Sequence, residues 1–161
     1  MIKKLDKNYW QELKEIRLEA LQKSPDSFLA SFEEESQSPD TIWIEKLENF
    51  THFGYFFNEK IIAFCQLSFE KAKKILHTAT LSSMFVSYER RGEGIGLELV
   101  NYVKNYAKNH GVKHLYLGCN AQNHCAIKLY KKSGFKVFGT RPDYTKIDNK
   151  FYDDLIMMCE L

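Results

Sequence analysis

The chain predicts a mixed α/β fold: one mostly antiparallel sheet of about seven strands with helices on both faces. Three features carry this expectation. Helical periodicity fills the first fifty residues. Turn-separated runs of strand residues follow, and the second half then alternates strand, helix, strand, helix, strand, strand. The unit from the strand over 75–86, through a helix, to the strand over 112–119 is a right-handed crossover, so those two strands should be parallel neighbours. With 161 residues, no internal repeat and no Pro/Gly/Ser-rich linker, the chain is expected to form a single domain over 1–161.

Each element has a local reason. Ile2–Leu5 suits a short edge strand, and Asp6 suits the N-cap of a helix through about Lys23, with Trp10, Leu13, Arg17, Ala20 and Leu21 near helical spacing. Pro25 interrupts. Phe28, Leu29 and Phe32 then suggest a short helix ending in Glu33-Glu34-Glu35, and Ser38-Pro39 opens a third helix carrying Ile42, Trp43 and Leu47. Strands over 51–57 and 61–70 flank the turn Asn58-Glu59-Lys60 and read as a hairpin. After the turn at 71–74 comes the long strand over 75–86. The helix that follows the glycines at 92–96 bears the stripe Ile95, Leu99, Val103, Tyr106 and Ala107 and stops at Gly111. A strand over 112–119, a helix over 123–133 stopped by Gly134, and strands over 135–140 and 151–160 complete the order.

Composition narrows the function classes. A chain that is 44% hydrophobic and 27% charged is a folded globular protein, not a disordered one. No apolar run approaches the roughly 20 residues of a membrane span, and the N-terminus lacks the apolar segment of a secretory signal, so a cytoplasmic location is expected. Cys65, Cys119, Cys125 and Cys159 show no metal-ligand spacing and read as free thiols, and no metal is expected. The net charge of +2 is unevenly spread: residues 84–136 hold nine Lys/Arg against three Asp/Glu. Such a basic segment suits a phosphate-bearing ligand, and its lack of interleaved exposed aromatics argues against nucleic acid.

The segment 91–96 holds glycines at alternate positions, Gly92, Gly94 and Gly96, between a strand and a helix. Glycine there allows positive φ and close approach to the main chain, and a helix N-terminus offers free N–H groups to an anion. The dinucleotide fingerprint would need glycine at Leu97, and a P-loop would need Gly-Lys-Ser/Thr, so both fail. What fits is R-x-x-G-x-G, as Arg91, Gly94 and Gly96, after a strand ending Met84-Phe85-Val86. Further on, Asn123-x-x-Ala126-x-x-x-Tyr130-x-x-x-Gly134-Phe135 puts an amide and a phenol seven residues apart, which on a helix is one face, with the small Ala126 between them.

These two elements, in this order and spacing, resemble the acetyl-CoA loop and the second motif of the GNAT superfamily of N-acetyltransferases. The flanking stretches Arg17 to Glu35 and Phe138 to Asp154 also look like bacterial members. The resemblance implies a sheet splayed between its fourth and fifth strands, with acetyl-CoA as co-substrate in the gap. It places Met84, Phe85, Val86, Arg91, Gly92, Glu93, Gly94, Ile95, Gly96, Asn123, Ala126 and Tyr130 at the cofactor, with a backbone N–H near Phe85 as oxyanion donor. Tyr130 is the implied catalytic acid to the departing thiolate. The implied partner is a small-molecule or peptide amine acceptor, with no nucleic acid or membrane, and a homodimer is compatible with it.

Two departures stand out. Tyr88 lies where many members have proline, and Leu81-Ser82-Ser83 lies where many carry a glutamate base on the fourth strand. Glu33, Glu34, Glu35, Asp153, Asp154 and His77 are therefore alternative candidates for the base or for amine recognition. A non-catalytic acyl-CoA-binding domain on the same fold is the competing reading.

Overall fold

The computed structural model describes residues 1–161. Its seven strands are β1 (Ile2–Leu5), β2 (Thr51–Phe57), β3 (Lys60–Phe69), β4 (Thr78–Val86), β5 (His114–Asn120), β6 (Lys136–Ile147) and β7 (Lys150–Glu160). They form one sheet in the order β1-β2-β3-β4-β5-β7-β6, in which only β4 and β5 run parallel. The helices are α1 (Trp10–Lys23), α2 (Phe32–Ser36), α3 (Asp40–Asn49), α4 (Ile95–Asn109) and α5 (His124–Lys132).

Alternation along the strands divides the core between two faces. Cys65, Leu67, Leu81, Leu115, Leu117 and Met157 face α4 and α5, where Leu99 and Val103 are fully buried. Phe64 and Phe85 face the other way, against Leu13, Ile16 and Ala20 of α1 and Leu47 of α3. Each such leucine contributes roughly 1.5–3 kcal/mol by leaving water, so the two layers together hold the helices on the sheet.

Element boundaries depart from the sequence reading where side chains compete for the backbone. The fourth strand begins at Thr78, not at 75: Lys73–Ile75 form a 3-10 turn, and the Thr78 hydroxyl donates to the Ile75 carbonyl at 2.8 Å. Phe28 and Leu29 lie outside the second helix. It starts at Phe32 because Ser31 and Glu34 form a reciprocal capping box. Pro39, not Ser38, is the residue flanking α3. β6 runs on to Ile147, past Pro142, because a register shift between Arg141 and Thr145 removes the proline from the ladder.

Two features of β4 open the sheet. Its pairing with β5 covers only 78–80 against 114–116, so the two strands separate beyond Thr80. A bulge then sets Ser83 and Met84 opposite Cys65 alone, with Ser83 at φ 53°. A non-glycine residue in that region is uncommon, and bulges turn a strand aside and cluster near functional sites.

Candidate active site

The gap between β4 and β5 is lined on one side by the end of β4 and capped by the glycine loop. Ser87 N–H donates to the Ile62 carbonyl at 2.9 Å on β3. The alternation of an antiparallel ladder then turns the N–H and C=O of Phe85 toward β3 and those of Val86 into the gap. Gly94 is the N-cap of α4 at φ 84°, Gly92 sits at φ 86°, and a Cβ on either would meet nothing within 4 Å. The first backbone bond of the helix runs from Glu98 N–H to the Gly94 carbonyl, which leaves the N–H groups ahead of it free and pointing outward. Gly96 has a different reason to be glycine. A Cβ there would lie 3.2 Å from Leu129 Cδ2, so its absence lets α4 approach α5.

Arg91 lies along the rim. Its Nε donates to the Val86 carbonyl at 3.0 Å and its Nη2 to the Ser24 hydroxyl at 3.3 Å, and its guanidinium stacks 3.6 Å above the Tyr88 ring. Tyr88, the residue standing in place of proline, donates from its hydroxyl to the Lys23 carbonyl at 2.9 Å. The loop is thereby tied to the end of α1. Arg90 pairs with Glu93 at 2.9 Å across the loop itself.

On the opposite side, Asn123 does not share a helix face with Tyr130. It is the N-cap of α5: its Oδ1 accepts from Ala126 N–H at 3.1 Å, and its Nδ2 donates to the Ser27 hydroxyl at 3.2 Å. The spacing of seven was legible, but a capping side chain folds back onto its own helix rather than projecting from it. Asn120 Nδ2 likewise donates to the Asp26 carbonyl at 3.4 Å. The turn at 24–27 therefore touches both lips of the gap, Arg91 and Tyr88 on one side and Asn120 and Asn123 on the other. Nothing in the sequence marked that bridge except the tyrosine replacing proline.

Tyr130 is buried on α5, edge-on to Phe135 at 5.8 Å between ring centres. Its hydroxyl makes no hydrogen bond to the protein, and the residue is 7% exposed. Burial pushes the phenol above its ordinary value, with Cys119 and Cys65 nearby adding to the shift. The same burial raises the Cys119 thiol to about 11. Around neutral pH this corner of the core thus holds a protonated phenol and neutral thiols.

The alternative bases divide. Glu33 and Glu34 are exposed, and Glu34 is spent on the capping box. Burial pushes the Glu35 carboxyl up, but Arg17, in a two-pronged pair at 3.0 Å, and Lys46, also at 3.0 Å, outweigh it and hold the group below the usual carboxylate value. Asp153 accepts from Asp143 N–H at 3.0 Å. Asp154 pairs with Arg141, and Gly118 makes room for the pair, since a Cβ there would fall 2.7 Å from the carboxylate. His77 is exposed and precedes β4, where its carbonyl accepts from Lys113 N–H at 2.7 Å.

The sequence reading missed His52, which is 3% exposed beneath α3. Burial, with Lys46 and Arg17 adding to it, holds its imidazole at about 4, well below the usual 6.5. The folded protein therefore keeps His52 neutral where the unfolded chain would protonate it. Stability should be full above about pH 6.5 and fall as the pH drops toward 4, by about 3 kcal/mol. Urea unfolding at pH 7 and pH 4.5 checks this, and His52→Gln should flatten the difference.

A splayed β4/β5 pair with a glycine-bounded helix N-terminus at its mouth defines the class of fold. The Acetyltransferase (GNAT) family pattern matches residues 10–135, and the chain belongs to that family. It is 30% identical over 116 residues to the uncharacterized N-acetyltransferase YobR of Bacillus subtilis (strain 168), a match covering 62% of this chain and 47% of that protein. The chain spans about half the length or less of this relative and of three others that it matches. Its fold is shared with a GNAT-family acetyltransferase from Streptococcus pneumoniae, with a TM-score of 0.82 at 20% identity over 100% of this chain and 99% of that one. It is also shared with yncA, a putative acetyltransferase from Salmonella typhimurium solved with its cofactor acetyl-CoA, with a TM-score of 0.80 at 17% identity over 100% and 93% of the two chains. No helix is long and apolar enough to cross a membrane.

Proposed function

We propose that the chain transfers an acetyl group from acetyl-CoA to a primary amine by direct attack of the amine on the thioester. The observation that carries this reading is the end of β4 left without a β5 partner, with the Val86 backbone facing a gap capped by the α4 N-terminus. The pantetheine arm lies in this gap as an added strand. Its diphosphate rests on the N–H groups of the loop over 92–96 and the first turn of α4, since the Arg91 N–H already donates to the Tyr88 carbonyl at 3.2 Å. Because Phe85 turns its own N–H to β3, the oxyanion donor is a flanking N–H, on Met84 or Val86. Tyr130 donates a hydrogen bond to the sulfur as the C–S bond breaks and gives up its proton to the thiolate, while the proton shed by the attacking nitrogen passes to water, from which Tyr130 is reprotonated. Ala126 keeps the space between the α5 N-terminus and that hydroxyl clear.

Arg91 acts on the cofactor chiefly through the loop it braces. Arg91→Glu removes its bonds to Val86 and Ser24 and places a negative charge beside the diphosphate. The acetyl-CoA dissociation constant should rise about tenfold, the worth of one charge-assisted hydrogen bond. In the wild type the affinity should fall steadily with added salt. Calorimetry over a salt series measures both; unchanged affinity in Arg91→Glu contradicts the placement of the diphosphate.

A further inference from the structure

We propose that the cavity beneath α1 and α3 holds the carboxylate of the acceptor, which makes the substrate an amino acid or a similar compound with amine and carboxylate close together. This rests on the acetyl-transfer reading above. The cavity measures about 190 Å³. A single water needs only about 10–15 Å³, so the space is far more than one bridging water requires and suits a small molecule.

Its wall is charged, with more cations than carboxylates. Arg17, Lys46 and Glu35 line it, two cations against one carboxylate, and His52 beside them is neutral. Glu35 occupies Nε and Nη2 of Arg17, which leaves Nη1 enclosed with no partner. Trp43, fully buried in the same wall, has its indole Nε1–H enclosed and unpartnered as well. Two enclosed donors without acceptors are costly, and native interiors rarely tolerate them. A carboxylate would cancel the surplus positive charge and bring acceptor oxygens to a wall that holds two unpaired donors. A simple amine would leave both donors empty and bring its ammonium beside two cations.

The cavity also lies where an acceptor is needed. Ser83, the bulged residue of β4, is part of its wall and directly precedes Met84 and the gap-facing backbone of Val86. A molecule anchored by its carboxylate near Arg17 and Trp43 presents its other end toward the bulge, and so toward the thioester.

The test compares each common L-amino acid with its C-terminal amide, by thiol release from acetyl-CoA and by calorimetry on the protein saturated with coenzyme A. At least one acid should exceed its amide about tenfold or more in kcat/KM and in affinity, because a site built around a substrate oxygen rejects the analogue that lacks its charge. Trp43→Phe, which removes the indole donor together with part of the ring, and Lys46→Met, a half-buried position that secures the test if the first variant fails to fold, should each cut that preference at least about threefold. Acetyl-CoA affinity should stay the same in both. Amides used or bound as well as the acids, or a preference that survives both variants, overturns the carboxylate site. Turnover of amines without a carboxylate overturns it while sparing acetyl transfer. Selective binding of an acid without turnover supports the cavity and refutes the transfer.

Discussion

Tyr130→Phe should lower kcat by about 10²–10⁴-fold while the acetyl-CoA dissociation constant changes little, since general-acid groups contribute on that scale. The hydroxyl has no hydrogen-bond partner in the protein, so its removal leaves no group stranded and the ring keeps its edge-on contact with Phe135. Stability should therefore hold within about 0.5 kcal/mol, and activity is lost from a folded protein. Because burial keeps the phenol protonated past its ordinary range, the defect should persist from neutral pH up to about pH 10. It should shrink with an acyl thioester whose thiol is a better leaving group, where an enzymic donor matters less. Rapid-quench measurement of the chemical step checks this, and a wild-type rate removes Tyr130 from the mechanism.

Gly94→Val should raise the acetyl-CoA dissociation constant at least about 100-fold, the equivalent of losing two charge-assisted hydrogen bonds. Two causes act together. The branched side chain enters the open space over the α4 N-terminus, where a Cβ meets nothing within 4 Å, and φ 84° is a conformation that valine resists. Gly111→Val separates them. Gly111 closes the other end of α4 at φ 83°, equally open, so it carries the same strain far from the loop. It should cost a similar drop in melting temperature and leave acetyl-CoA binding intact. Calorimetry on both variants decides: equal loss of binding in both means that strain, not the position of the diphosphate, is responsible.

The periodic elements were legible because each follows from its own residues. The stripe on α4 and the parallel β4/β5 crossover both appear as the pattern requires, and so does the splay that the family resemblance implied. What escaped were features that depend on residues distant in the chain. Asn123 has the right spacing to line the gap, yet as the residue before α5 it caps the helix and reaches Ser27, 96 positions away. The positive φ of Ser83 has no local signature, since glycine or asparagine would be the expected sign of such a bulge. The cavity draws on α1, α2, α3 and three strands at once. Its residues read singly as a helix-face arginine, a core tryptophan and a strand histidine. Gly96 read as part of the phosphate loop, and nothing in the sequence marked its second role, that a Cβ there would crowd Leu129 of α5.

The central claim is acetyl transfer through the β4/β5 gap, and one measurement meets it directly. Purified protein is mixed with acetyl-CoA carrying an isotopically labelled acetyl group and a broad panel of amines. Mass spectrometry then follows the label while free thiol is counted. Transfer predicts an amide bearing the label, formed one for one with thiol and lost in Tyr130→Phe. Saturable acetyl-CoA binding with neither amide nor thiol above the uncatalysed rate would contradict it and mark the chain as a binding domain on this fold.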